Sequence, residues 1–381
     1  MNTDSRSTNV IVDELLTKIN GQRLECDLLV SLFYSSATSS RRFSVCEPFP
    51  SAFKSPTGSK QFDNILESLN TLPPLSLLTT KESLYQLPTE SLKLLDFIVN
   101  NNNNDFTVKL IDYKEFERET LYLEDLLEHL KTSQLPSKVF RFNYDPTVKE
   151  KNAEYDRLAK QFGTLFGYHG SANDSWNNII RGRGFANQYI SETCLFGHGF
   201  YFSSDSKVSH SFVKYGRWWD KSEFGDRVGC LSGCDIIDTD QTNRGIKVSP
   251  ATSPLPSPRP TVYTEEDKEL PDHYILSKIG GHIRVKYLLL FEDRSNSSGS
   301  SQTIPSPTPT SPGATTSSSP AVATAPAAVS IFTRISQWRP SPLSILVFSF
   351  IIYMAVLVFV GRSQPKKKPT KPLYFQSRLE L

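Results

Sequence analysis

Two short stretches of this chain are the most informative about its fold: Gly167–Ser171, which reads GYHGS, and Phe196–Ser203, which reads FGHGFYFS. The second stretch begins like the G-x-G-x-x-G loop that binds a dinucleotide, but Phe202 stands where the third glycine belongs. A helix must follow such a loop, whereas the three consecutive aromatic residues at 200–202 are typical of a strand. The two stretches therefore exclude a Rossmann-type site.

Composition and charge exclude several other classes of protein. Residues 362–381 hold six Lys or Arg side chains against one Glu, so the rest of the chain has a net charge of −3 within a total of +2. Because the body has no basic surplus, no nucleic-acid partner is expected. The five cysteines include no C-x-x-C pair and the six histidines show no ligand spacing, so neither a disulfide framework nor a metal site is predicted.

Changes in composition divide the chain into predicted parts. Before the Asn run at 100–104, apolar residues recur at helical spacing, which predicts a small helical domain over residues 1–99. Residues 105–294 carry short β-rich segments separated by turn signals, among them Phe106–Ile111 and Val285–Phe291, which predict an α+β domain dominated by antiparallel strands. Within it, the five prolines of residues 248–260 predict an exposed insertion loop. Residues 295–341 are rich in Ser, Pro and Thr, and a disordered tether is predicted there.

An apolar segment follows the predicted tether. Leu343–Val360 is 18 residues long without a charge, and as a helix it spans about 27 Å at about 1.5 Å per residue. That length matches a thin bilayer such as the endoplasmic reticulum membrane, so a transmembrane helix is predicted over residues 342–361, with a basic tail at 362–381. A helix buried in the protein core is the alternative interpretation.

The topology of this segment follows from two opposing signals. The polar N-terminus has no run that could serve as a signal peptide, so the segment is expected to be a tail anchor inserted after synthesis. The positive-inside rule favours a cytosolic basic tail. That arrangement would require more than 300 residues to cross the membrane without a signal. We therefore expect a cytosolic body and a lumenal tail.

A longer pattern extends outward from the two opening stretches. Its further elements, in order, are Trp176, Gly184-Phe185, Ser209, Phe212, His273-Tyr274-Ile275 and Arg284–Leu289, which reads RVKYLL. In this order and spacing the motifs resemble the catalytic domain of the poly(ADP-ribose) polymerase superfamily, the diphtheria-toxin-like ADP-ribosyltransferases, over most of residues 106–294. Each motif alone would be weak, and it is their order that makes the resemblance specific.

One branch of that superfamily is similar to this chain in its whole organisation. The tail-anchored mono-ADP-ribosyltransferase of the endoplasmic reticulum and nuclear envelope combines an N-terminal helical domain, a His-Tyr-Tyr catalytic set and a C-terminal transmembrane helix. The chain also resembles it at Asp27–Phe33 and Ser44–Pro50. The resemblance implies transfer of single ADP-ribose units from NAD⁺, as substrate and without a metal, to protein acceptors near the membrane, including the enzyme itself. It also implies a location in the endoplasmic reticulum membrane or nuclear envelope.

The resemblance assigns roles within the NAD⁺ site. His169 would hydrogen-bond the adenine-side ribose, while the backbone of Gly170 and the hydroxyl of Ser209 would hold the nicotinamide carboxamide. Tyr201 and Phe212 would sandwich the nicotinamide; many family members have Tyr in place of Phe212, but stacking does not need the hydroxyl. The full implied binding set is His169, Gly170, Ser171, Tyr201, Ser209 and Phe212.

Tyr274 completes the implied catalytic set with His169 and Tyr201, and it decides the product. It stands where polymer-forming members have Glu, whose carboxylate activates the acceptor hydroxyl for chain extension. A phenol has an ordinary pKa of about 10, so it is neutral at pH 7 and a poor base. The set therefore implies transfer of single units. If the alignment to the family motif is shifted by one residue, His273 takes the place of Tyr274. Successive side chains of a strand point to opposite faces, so His273 would then face away from the other two residues.

Two other functions share the same motifs. A catalytically silent scaffold that binds NAD⁺ or ADP-ribose on the membrane would have this fold, but inactive members typically lose the histidine that this chain keeps as His169. A polymerase is disfavoured by Tyr274. The leading hypothesis is the membrane-tethered mono-ADP-ribosyltransferase, and the silent scaffold is the alternative.

Overall fold

The architecture is described from a computed structural model of the chain. The structure describes residues 6–100, 105–120, 135–190, 194–246, 248, 250–252 and 269–293. All of them belong to one compact unit, Met1–Gln302. The predicted tether, transmembrane helix and basic tail, and most of the predicted insertion loop, lie outside the described residues. Within the described ranges, no helix is both long and apolar enough to cross a membrane.

The N-terminal part of the chain is helical, as predicted. Its helices are α1 (Thr8–Gly21), α2 (Arg23–Ala37), α3 (Arg42–Val45), α4 (Phe62–Thr71), α5 (Lys81–Tyr85) and α6 (Thr89–Asn100). In α1 the apolar side chains at helical spacing, Val12, Leu15 and Ile19, are buried, so burial of one face stabilises the helix. The Ser7 side chain caps α1 by accepting from the backbone N–H of Val10.

The rest of the described chain forms an α+β structure around one largely antiparallel sheet, which confirms the predicted fold class. The strands are β1 (Phe106–Ile111), β2 (Lys138–Tyr144), β3 (Thr164–Gly170), β4 (Phe200–Ser203), β5 (Gly216–Arg217), β6 (Arg227–Ile237), β7 (Thr242–Arg244), β8 (Pro250–Thr252), β9 (Tyr274–Ser277) and β10 (Ile283–Glu292). Their order is β1-β2-β10-β6-β3-β4-β9-β7, with β5 beside β6 and β8 beside β3. The helices that alternate with them are α7 (Tyr113–Thr120), α8 (Glu150–Phe162), α9 (Asn173–Arg181) and α10 (Ser206–His210).

Strand β3 is buried on both faces, and the alternation of its side chains positions the site. Phe166 and Tyr168 pack into one hydrophobic cluster with Phe116 of α7. Leu165 belongs to the larger cluster, which also contains the N-terminal helices. Because successive strand residues point to opposite faces, His169 shares the face of Leu165.

Polar contacts fasten the N-terminal helices to the helix that follows GYHGS. Helix α9 packs against α2. The side-chain amide of Asn177 donates to the carbonyl of Glu47 at 2.9 Å, and the Arg181 guanidinium donates to the carbonyl of Phe97 at 2.9 Å. Burial lowers the pKa of Arg181 to about 10. These contacts hold the segment after α2 beside the strand that carries His169.

Candidate active site

Three neighbouring strands bring the predicted catalytic side chains together. Tyr168 of β3 pairs with Ser203 of β4, and Ser203 pairs in turn with Tyr274 of β9. His169, Tyr201 and Tyr274 all line one pocket of about 360 Å³. A volume of this size lies within the range of small-molecule sites.

The ring of His169 is oriented by one hydrogen bond and by aromatic neighbours. Its Nδ1 lies 2.9 Å from the carbonyl oxygen of Tyr201. Because a carbonyl only accepts, Nδ1 carries the proton and Nε2 is the acceptor of the neutral ring. The rings of Trp176, Phe185 and Phe202 lie 5.2–6.1 Å away, centroid to centroid. Burial lowers the pKa of His169 from its ordinary 6.5, and Nε2 has no hydrogen-bond partner among the described residues.

Tyr201 ties the FGHGFYFS loop to its strand. Its hydroxyl donates to the carbonyl of Gly197 at 2.6 Å and accepts from the backbone N–H of Phe196 at 3.0 Å. At Gly199, a Cβ would lie 2.6 Å from the carbonyl oxygen of Ser277, so a glycine is needed where β4 approaches β9. The Tyr201 ring is thereby fixed as part of the pocket wall.

Ser209 lies on the short helix α10 and contacts the end of β3. Asp205 caps α10 by accepting from the backbone N–H of Lys207 at 2.9 Å. The Ser209 hydroxyl donates to the carbonyl of Tyr168 at 2.7 Å, so its lone pairs are the groups it can offer a ligand. A Cβ on Gly170 would collide with the carbonyl oxygen of Ser209, so this close approach requires glycine.

The remaining members of the predicted binding set fall in two places. Phe212 is 59% exposed and lines the same pocket as His169. Ser171 instead lines a second pocket of about 230 Å³. The two pockets adjoin, because both are lined by His169, Gly170, Tyr189 and Phe200.

Tyr274, and not the neighbouring His273, lies at the pocket. The half-buried Tyr274 ring lies 5.9 Å from the ring of Phe196, and both residues line the cavity. His273 precedes β9, its Nδ1 is 3.2 Å from the hydroxyl of Ser204, and it is not among the described lining residues. None of the described residues that line this pocket is Asp or Glu.

Two residues of the second pocket come from the N-terminal helices, and sequence reasoning missed them. Arg41 and Val45 line it together with Ser171. They belong to the segment between α2 and the end of α3, and the packing of α2 and α3 on α9 brings this segment to β3. Arg41 lies in none of the motifs that the sequence offers, and Val45 lies within Ser44–Pro50, to which the resemblance assigned no role in the site.

The two pockets differ in the chemistry of their walls. The first pocket has aromatic walls and the acceptor oxygen of Ser209. The second is lined by the hydroxyls of Ser171 and Ser175, the amide of Asn178 and the cation of Arg41. Among the described residues, no group of three or more His, Cys, Asp or Glu could hold a metal ion.

The antiparallel sheet, with GYHGS at the end of one strand and a His-Tyr-Tyr pocket, is the pattern of the poly(ADP-ribose) polymerase superfamily, the diphtheria-toxin-like ADP-ribosyltransferases. Comparison with known proteins confirms the resemblance to that superfamily. Residues 17–99 match the family described as the ARTD15 N-terminal domain.

Two relatives are similar to most of the chain. The mouse (Mus musculus) protein mono-ADP-ribosyltransferase PARP16 is 26% identical over 281 residues, which cover 73% of this chain and 82% of the mouse protein. The human (Homo sapiens) protein mono-ADP-ribosyltransferase PARP16 is 25% identical over 282 residues, with the same coverage of 73% and 82%. These similarities confirm the resemblance to the mono-ADP-ribosyltransferase branch that the motifs indicated.

Proposed function

We propose that this protein is a mono-ADP-ribosyltransferase that cleaves NAD⁺, releases nicotinamide and transfers one ADP-ribose to a protein acceptor. The observation that carries the proposal is that His169, Tyr201 and Tyr274, from three different strands, line one pocket. Similarity to two proteins named as mono-ADP-ribosyltransferases supports the same activity.

The first pocket fits the nicotinamide half of NAD⁺. The ring of the nicotinamide is cationic, and the faces of Tyr201 and Phe212 favour a flat cation stacked on them. The lone pairs of Ser209 can accept from the carboxamide N–H, since its own proton is used on Tyr168. Nε2 of His169 can accept from a hydroxyl of the adenine-side ribose. These contacts would fix the leaving group and the ribose before the bond breaks.

Transfer breaks the bond between the nicotinamide nitrogen and ribose C1′. The electron pair leaves with nicotinamide, which becomes neutral, and C1′ develops oxocarbenium character. A nucleophilic side chain of the acceptor protein then forms the new bond to C1′ from the opposite face, and its proton passes to solvent. The protein contributes orientation and exclusion of water, and the described lining of the pocket supplies no carboxylate base for this step.

Products of one ADP-ribose unit per modified site are expected, because chain extension needs a base at the position of Tyr274. The test is incubation with excess NAD⁺ at several enzyme concentrations, followed by digestion and mass spectrometry of the modified peptides. The Tyr274→Phe variant removes the hydroxyl without adding a base, so it should give the same product length. Peptides that carry a series of two, three or more units on one side chain would contradict our interpretation of Tyr274.

The pH dependence of transfer is expected to follow the neutral form of His169. Protonation would convert Nε2 from an acceptor to a donor and lose its bond to the ribose hydroxyl. Because burial lowers the pKa of His169, the neutral form persists below pH 6.5. The acid limb of kcat/KM for NAD⁺, measured between pH 5 and 8, should therefore be centred below pH 6.5. An acid limb centred above pH 6.5 would contradict this.

The location of the enzyme is the second part of the proposal. We infer that residues 342–361 anchor it in the endoplasmic reticulum membrane or nuclear envelope, with the catalytic unit in the cytosol and the basic tail in the lumen. The inference is supported by the 18 uncharged residues of Leu343–Val360. The acceptors would then be membrane-proximal proteins, including the enzyme itself.

A further inference from the structure

The second pocket contains one feature that the catalytic set does not use. Arg41 lines it, and of the described residues that do so it is the only Lys, Arg, Asp or Glu. The other polar groups of that wall, including Ser171, Ser175 and Asn178, are neutral. A pocket whose polar wall carries a single cation is suited to a ligand with a negatively charged group.

Two of the three guanidinium nitrogens of Arg41 are engaged. Its Nε lies 3.3 Å from the Asp174 carboxylate, and its Nη2 donates to the same carboxylate and to the Ser175 hydroxyl, the latter at 3.0 Å. Its Nη1 donates to none of the described residues. Since the side chain is 52% exposed, the two N–H groups of Nη1 are open to a ligand.

The segment that carries Arg41 is held in place from both sides. The Ser39 hydroxyl donates to the Asp174 carboxylate at 2.5 Å. The hydroxyl of Tyr189, which lines both pockets, donates to the carbonyl of Ser44 at 2.9 Å. Arg41 is therefore oriented in advance, which reduces the conformational entropy that a ligand would have to offset.

We propose that Arg41 binds the diphosphate of NAD⁺, so that the N-terminal helical region completes the substrate site. This inference rests on the proposed function. With the nicotinamide in the first pocket and His169 at the boundary, the adenosine half must occupy the adjoining pocket, and the two phosphates belong to the link between the halves. The two N–H groups of Nη1 lie in the fixed plane of the guanidinium and can donate to the phosphate oxygens, whereas an ammonium group acts as a flexible point charge.

The test compares two fragments of the substrate on the full-length protein. ADP-ribose contains the diphosphate and nicotinamide does not, and binding of each is measured by titration calorimetry. In Arg41→Gln, the dissociation constant for ADP-ribose should rise about tenfold, the magnitude expected for an exposed charge-assisted contact, while that for nicotinamide is unchanged. The KM for NAD⁺ should rise by a similar factor with kcat retained. Arg41→Lys should restore part of the affinity.

Two matched variants separate binding from structure. Arg42→Gln removes the adjacent cation, which lies over the Phe62 ring at 4.8 Å and does not line the described pocket, so it should bind ADP-ribose like the wild type. Asp174→Asn breaks the same ion pair as Arg41→Gln but keeps the cation, so it should stay within about threefold of the wild type.

Three results would overturn the inference. One is an Arg41→Gln protein that binds ADP-ribose as tightly as the wild type. Another is an equal loss in Arg41→Gln and Asp174→Asn, which would mean that the ion pair only holds the fold together. In both, the wild type still binds ADP-ribose and the proposed function stands. If the wild type binds neither fragment, the proposed function fails together with the inference.

Discussion

The His169→Ala variant is expected to lose transfer from NAD⁺ by about two orders of magnitude or more, with its fold intact. Alanine removes Nε2, the acceptor that we propose binds the adenine-side ribose. It also removes the bond from Nδ1 to the carbonyl of Tyr201, which orients the ring between β3 and β4. Initial rates with labelled NAD⁺ over a range of concentrations measure the loss in kcat/KM.

The matched control for this variant is His198→Ala. His198 lies in the FGHGFYFS stretch, is exposed, and does not line the described pocket, so its loss should leave the rate near that of the wild type. Thermal unfolding of both variants reports on the fold. A well-folded His169→Ala protein with near wild-type turnover would rule out the assignment of the site.

Removal of residues 342–381 is expected to release the protein from membranes completely and to leave auto-modification intact. The 18 uncharged residues of Leu343–Val360 are the reason for the first part. The second part follows because the compact unit that holds the pocket, Met1–Gln302, ends before residue 342. Flotation of cell membranes on a density gradient, combined with a transfer assay on each fraction, measures both.

A second variant keeps the full length of the chain and makes only the apolar segment Leu343–Val360 less hydrophobic. Two charges at the centre of the segment, Ile351→Asp with Ile352→Asp, cost about 2.5–3.5 kcal/mol each at the middle of a membrane helix, so this variant should also leave the membrane fraction. A glycosylation acceptor added after Leu381 should be modified if the tail is lumenal. Membrane association of residues 1–341 alone would show that another part of the chain anchors the protein.

The strands could be predicted from the sequence because local patterns encode them. The β-rich segment Phe106–Ile111 is β1 in full, and the segment Val285–Phe291 lies within β10. Local patterns could not predict that one pocket contains His169, Tyr201 and Tyr274, because this depends on β4 lying between β3 and β9. Only the resemblance to a known family placed these residues in one site.

The contribution of the N-terminal region to the second pocket lay beyond both kinds of reasoning. Arg41 reaches it because α2 packs on α9, and the contact between Asn177 and Glu47 joins residues 130 positions apart. The change of composition at residues 100–104 correctly marks where helices give way to strands, yet helices and sheet share one core. For Ser209, the sequence shows that a hydroxyl is present but not which group it donates to. Its donation to the carbonyl of Tyr168 depends on the fold.

The central claim is that this pocket cleaves NAD⁺ and transfers one ADP-ribose at a time. The most direct measurement is the intact mass of the full-length protein after incubation with NAD⁺, with released nicotinamide quantified in the same sample. We predict mass increments of whole ADP-ribose units, nicotinamide released in at least equal amount, and neither change in His169→Ala. A wild-type protein that binds NAD⁺ but shows no mass increment and no release of nicotinamide would contradict the claim and favour a silent binding scaffold.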